Sequence, residues 1–117
     1  MKIIISGTVD IDPEQMEAAM TAAKPLIEGA LTQEGIMDYD WCPDPLTPGR
    51  IRVFERWESQ QALENHFNNH WYQDMRVALA QLGIRGADVL KYRIDAAEPV
   101  YDETGTARAD FFTASGE

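Results

Sequence analysis

A chain of 117 residues, 44% of them hydrophobic, is a single globular domain with enough apolar side chains for a core. Its net charge of −10 excludes nucleic acid and anionic membrane surfaces as partners, since both need a basic footprint. No apolar run is long enough for a membrane span or a leader, and the single Cys42 excludes an internal disulfide and fits a reducing cytoplasm.

Residues 2–10 are β-branched and apolar in loose alternation and predict a strand. Asp12-Pro13-Glu14-Gln15 is a helix start, with Asp12 as cap, Pro13 in the first turn and Gln15 completing a capping-box pattern. Met16, Ala19, Met20, Ala23, Ile27 and Ala30 mark one helical face, and Pro25 inside it predicts a kink or a helix in two pieces. Gly35 is placed to end the helix or turn into a strand. Residues 36–42 alternate Met37, Tyr39 and Trp41 against Asp38 and Asp40, a strand with one aromatic and one acidic face. A Pro/Gly turn follows at 43–49. In the strand 50–57, Ile51, Val53, Glu55 and Trp57 share a face. Ser59 caps helical residues 60–82, which break near Asn68-Asn69-His70, and Leu63, His66, Phe67 and Trp71 recur at helical spacing. Gly83 stops the helix, and residues 89–94 form the last strand. From Ala97 the chain is polar and acidic and reads as an extended arm or partly disordered tail, giving a domain over 1–96 and an arm over 97–117.

The order β-α-β-β-α-β is the ferredoxin-like α+β pattern, an antiparallel sheet with its helices on one face. Strand alternation sends some of Tyr39, Trp41, Phe54, Trp57 and Tyr92 to the uncovered face. An aromatic patch there predicts a face-to-face homodimer.

Gly35, the Pro/Gly turn, Phe54-Glu55-x-Trp57-Glu58-Ser59, Ala62-Leu63 and His66 together resemble the antibiotic biosynthesis monooxygenase family, in its quinol monooxygenase-like branch. The likeness covers residues 2 to about 95. It implies a dimeric α/β barrel with a ligand pocket between sheet and helices, and oxygen chemistry without metal, flavin or haem. Two departures stand out. His70 follows His66 by four residues where relatives often have five. The positions matching the haem-degrading members hold about Gly7, His66 and Arg76, so haem degradation is not carried over.

Oxygenation without a cofactor needs a substrate that becomes a good electron donor once deprotonated, so the protein must take a proton, hold an anion and exclude water. His66 is the candidate base, its ordinary pKa being near working pH. Trp41, Trp57, Phe67, Trp71 and Tyr39 are candidates for an aromatic wall, and Arg52 or Arg56 for a phenolate partner. Glu55 is either a cross-sheet partner of an arginine or a proton shuttle, and His66 either a base or a core histidine. His66 and His70 have helical metal-pair spacing but no third ligand, so no metal site is expected. The expected activity is a cofactor-independent monooxygenase for a small aromatic, phenolic or quinol-type molecule. The alternative is a non-catalytic dimeric barrel that binds a small hydrophobic ligand as a stress-response or sensor module.

Overall fold

The computed structural model describes residues 1–113. Strand β1 (Ile3–Asp10) leads through a 3-10 turn (Pro13–Gln15) into helix α1 (Met16–Ala30). Strands β2 (Ile36–Pro43) and β3 (Arg50–Trp57) follow, then helices α2 (Gln60–Phe67) and α3 (His70–Gln81), and strand β4 (Gly86–Arg93). The sheet order is β2-β3-β1-β4 with every neighbouring pair antiparallel, which is the ferredoxin-like α+β arrangement. The sheet is open and does not close into a barrel within one chain.

Local chemistry sets the boundaries. The Asp12 carboxylate accepts from the Glu14 amide, while Gln15 returns no side-chain bond, so the expected capping box is half made. Pro25 lies inside α1 without splitting it. The Ser59 hydroxyl accepts from the Ala62 amide at 3.1 Å and starts α2. Asn69 begins α3 by accepting from the Trp71 amide at 3.1 Å. Gly35, at φ +87°, turns the chain into β2, and Gly83, at φ +74°, closes α3 from the left-handed region.

Ile51, Val53, Glu55 and Trp57 of β3 all face the helices and are all buried. Val9, Ile51 and Val53 pack under α1 and α3 with Ala19, Ala23, Met75 and Leu79. Ile5, Tyr39 and Trp57 pack under α2 with Ala30, Ala62 and Leu63. Each fully buried aliphatic side chain contributes about 1.5–3 kcal/mol of transfer free energy. Strand β2 departs from simple alternation. Ile36 pairs with Trp57 and Asp38 with Arg56, leaving Met37 as an extra, bulged residue. Ile36, and not Met37, therefore joins Tyr39 and Trp41 on the covered face.

The last strand starts at Gly86, three residues before the apolar run, because its backbone pairs with β1 through to Asp10. Beyond it, Ile94 donates to the Lys2 carbonyl, and the chain folds back on itself through a Tyr101–Ala107 bridge. The Asp102 carboxylate accepts from the amides of Thr104 and Thr106, and Glu98 accepts from those of Phe112 and Thr113. This is a hydrogen-bonded turn, not an extended arm; the remaining tail, 114–117, lies outside the described residues.

Candidate functional site

The middle of β2, the end of β3, the last turn of α2 and the first turn of α3 bring one imidazole, one carboxylate and four aromatic rings together. Strand period places Glu55 and Trp57 side by side on the covered face. Helix period places His66 three residues beyond Leu63, over the same spot. The His66 ring lies 4.6 Å from the Trp57 ring, 5.4 Å from Tyr39, 5.9 Å from Phe67 and 5.5 Å from Tyr72, centroid to centroid. It is 1% exposed.

The polar atoms of this cluster have defined partners. His66 Nδ1 stands 2.7 Å from Oε1 of Gln33, in the loop between α1 and β2. An amide oxygen only accepts, so Nδ1 carries the proton and Nε2 keeps its lone pair. Burial pushes the His66 pKa down to about 4, so the ring is neutral at pH 7. Glu55, 5% exposed, accepts from the Trp57 indole N–H at 3.0 Å. Burial pushes its pKa up to about 7, against the smaller opposing effect of that bond. Tyr39 stands opposite Glu55 in the strand register, and its hydroxyl is pushed upward by burial first and by the Glu55 charge second.

Tyr39, Trp57 and Phe67 thus converge on His66, with Glu55 held against Trp57. Trp41 faces the same side, 6.4 Å from Tyr39, and its buried indole N–H has no hydrogen-bond partner among the described residues. Trp71 does not join the cluster. The helix break at Asn68-Asn69 resets the phase, and the Trp71 indole packs against Gly29 of α1 and lies tilted against the His70 ring, 4.0 Å centroid to centroid. Arg52 is also elsewhere. It lies one residue out of phase with Val53, on the opposite face of β3, and pairs with Asp44 at 2.8 Å. Arg56 shares that face and pairs with Asp38. Among the described residues Glu55 has no arginine partner; its hydrogen-bond donor is the indole of Trp57.

The sequence reading missed Tyr72 and Gln33. Tyr72 sits 4.9 Å from Phe67, and both rings are in contact with His66. Counting helical phase afresh from Asn69 finds Tyr72. Nothing local in the sequence marks Gln33. His70 pairs with Asp74 at 3.3 Å on the surface, away from His66. Among the described residues, no group of three or more His, Cys, Asp or Glu is placed to hold a metal ion. None of the described helices is long and apolar enough to cross a membrane.

Comparison with known proteins agrees with this geometry. A conserved protein of Methanosarcina mazei Go1 superposes with a TM-score of 0.73 at 22% identity, over 80% of this chain and 92% of that one. A Deinococcus radiodurans protein put forward as an antibiotic biosynthesis monooxygenase superposes at 0.77 with 18% identity, over 86% and 99%. At these identities the likeness shows the fold alone. The uncharacterized Synechocystis protein sll1783 is 22% identical over 92 residues, which are 79% of this chain and 63% of that protein's length. The model of the antibiotic biosynthesis monooxygenase family matches residues 2–78, from β1 through most of α3 and across every residue of the His66 cluster. The chain belongs to the antibiotic biosynthesis monooxygenase family.

Proposed function

We propose that the protein is a cofactor-independent monooxygenase for a small phenolic or quinol-type molecule, with His66 as the base that takes the hydroxyl proton. The observation that carries this reading is a neutral imidazole fixed by Gln33 with its Nε2 lone pair free, inside an aromatic enclosure. A phenol has a pKa of about 10, so proton transfer to a group at about 4 is uphill by roughly 8 kcal/mol. That gap narrows as the transfer proceeds, because a phenolate forming beside the ring favours the imidazolium. Ionised Glu55 acts in the same direction. Once formed, the phenolate is the electron donor to oxygen. Phe67, in ring contact with both His66 and Tyr72, is 38% exposed, so the cluster reaches the surface at that ring.

The outer sheet face supports a second copy as partner. Phe54, Leu90 and Tyr92 are exposed there, with Phe54 and Leu90 in one row across Ser6. We assign this face to a homodimer.

Oxygen uptake with a panel of hydroquinones tests the activity. His66→Ala is expected to keep the fold and cut uptake by about 10²–10⁴. A folded variant with full uptake returns His66 to the core and leaves a ligand-binding barrel as the function.

A further inference from the structure

We infer that the cleft between the start of α2 and the end of β4 is a subsite for the carboxylate of an amphipathic aromatic acid. The cleft holds about 390 Å³ and is lined by Met1, Ile3, Gln60, Lys91, Tyr92 and Arg93. In the register, Arg93 stands opposite Ile3 and Lys91 opposite Ile5. Ile5 is buried on the helix side of the sheet, so both cations rise from that side. The helices leave β4 uncovered there, and every residue of β4 is exposed.

The charge pattern is specific. The chain carries 20 acidic and 10 basic residues. Arg50, Arg52, Arg56, Arg85 and Arg108 are each in an ion pair. Lys2, Lys24, Arg76, Lys91 and Arg93 have no ion pair among the described residues, and of these Lys91 and Arg93 are neighbours on one face of one strand. They stand two positions apart, about 7 Å along one strand face. An adjoining cavity of about 410 Å³ carries Lys2 together with Glu58 and Asp95, so of the two clefts the one on the β4 side is lined by cations with no carboxylate among them. Two like charges held side by side over an apolar floor favour an anion whose body is apolar.

Strand register also sets the size of that body. Arg93, Ile3 and Trp57 form one row across β4, β1 and β3, and Trp57 packs against His66. Two strand spacings separate the ends of the row, about 10 Å. An acid seated on Lys91 and Arg93 therefore lays a two-ring body over Ile3 and directs its far end toward the His66 cluster. The subsite extends the proposed function by naming an anionic group on the substrate. Only the placement of the far end rests on that reading.

The test is direct binding of 6-hydroxy-2-naphthoate and its methyl ester by calorimetry, with no turnover measured. The acid is expected to bind about tenfold more tightly than the ester at low salt, a margin that 0.5 M salt narrows. Lys91→Gln/Arg93→Gln should erase the margin and leave ester binding unchanged, and Lys91→Arg should keep it. Equal binding of acid and ester by the unaltered protein overturns the subsite, whatever the variants do. So does an unchanged margin in the double variant. A double variant that keeps the margin but gains molecular mass assigns the two cations to guarding the free sheet edge, which also overturns it. Acid preference without oxygen uptake on any hydroquinone sinks the oxygenase reading and leaves the subsite standing. Uptake on neutral quinols with no acid preference does the reverse.

Discussion

His66 and Gln33 are 33 residues apart in sequence and 2.7 Å apart in space, so the loop that ends α1 decides which nitrogen of a helix α2 imidazole is the base. Gln33→Leu is expected to lower stability by about 1–3 kcal/mol, the cost of a buried N–H left unpaired. It also releases the tautomer, which nitrogen NMR reads directly. Gln33→Glu supplies a negative acceptor and should raise the His66 pKa from about 4 toward its ordinary 6.5. An unmoved titration in that variant would show that the contact does not govern the ring.

Glu55 makes the fold sensitive to base. Its pKa is raised in the folded state, from 4.5 to about 7, so its contribution is greatest below pH 4.5 and is lost as pH rises through 7. The full loss is about 3 kcal/mol. Glu55→Gln still accepts from Trp57 and cannot ionise. Urea unfolding at pH 8 should find it more stable than the parent by up to that amount, with the two converging near pH 4.5. Parallel curves across this range would count against the buried carboxyl.

His66 works in the opposite sense. Its folded pKa is depressed from 6.5 to about 4, so its contribution is intact above pH 6.5 and is lost as pH falls through 4. Between pH 4.5 and 6.5 the two groups offset one another and flatten the profile of the parent protein. In the Glu55→Gln background the loss from His66 should stand alone, about 3 kcal/mol between pH 7 and 4. Adding His66→Phe should remove it.

Gly29→Ala would press a methyl group into the Trp71 indole, at the contact between α1 and α3. Overpacking of this kind costs about 1–3 kcal/mol. Thermal unfolding should show the loss, and Trp71→Leu in the same chain should recover part of it. A recovery would place Trp71 as the spacer between helices and not as a wall of the His66 site.

Leu90→Asp alters only the outer sheet face. If that face joins two copies, light scattering should show the mass of two chains for the parent and of one for the variant. A parent with the mass of one chain at micromolar concentration would refute the homodimer.

Some of this was legible in the sequence for plain physical reasons. The alternation of Ile51, Val53, Glu55 and Trp57 survives folding because one face of β3 is fully covered. The same alternation already places Arg52 and Arg56 on the other face, away from His66. The break at Asn68-Asn69 was readable too, but a stripe carried across it misassigns Trp71 and overlooks Tyr72. Other features have no local signature. The Gln33 contact depends on the course of a loop. The early start of β4 at Gly86 depends on a neighbour's backbone, since Gly86-Ala87-Asp88 has little strand propensity of its own. The His66 pKa follows from enclosure, and residue type alone gives the unperturbed value.

The bulge at Met37 makes the chain's length negotiable at one place in β2. Ile36 already pairs with Trp57, and Asp38 with the next residue, Arg56. Excising Met37 would join two correctly phased halves into a regular ladder, with Tyr39 still facing His66. Excising Asp40 instead would shift half the strand by one residue. It would then turn either Ile36 and Tyr39 or Trp41 toward water, and bring a side chain meant for solvent inside. Tolerance of a missing residue along this strand is therefore set by arithmetic with its partner more than by the chemistry of the residue removed.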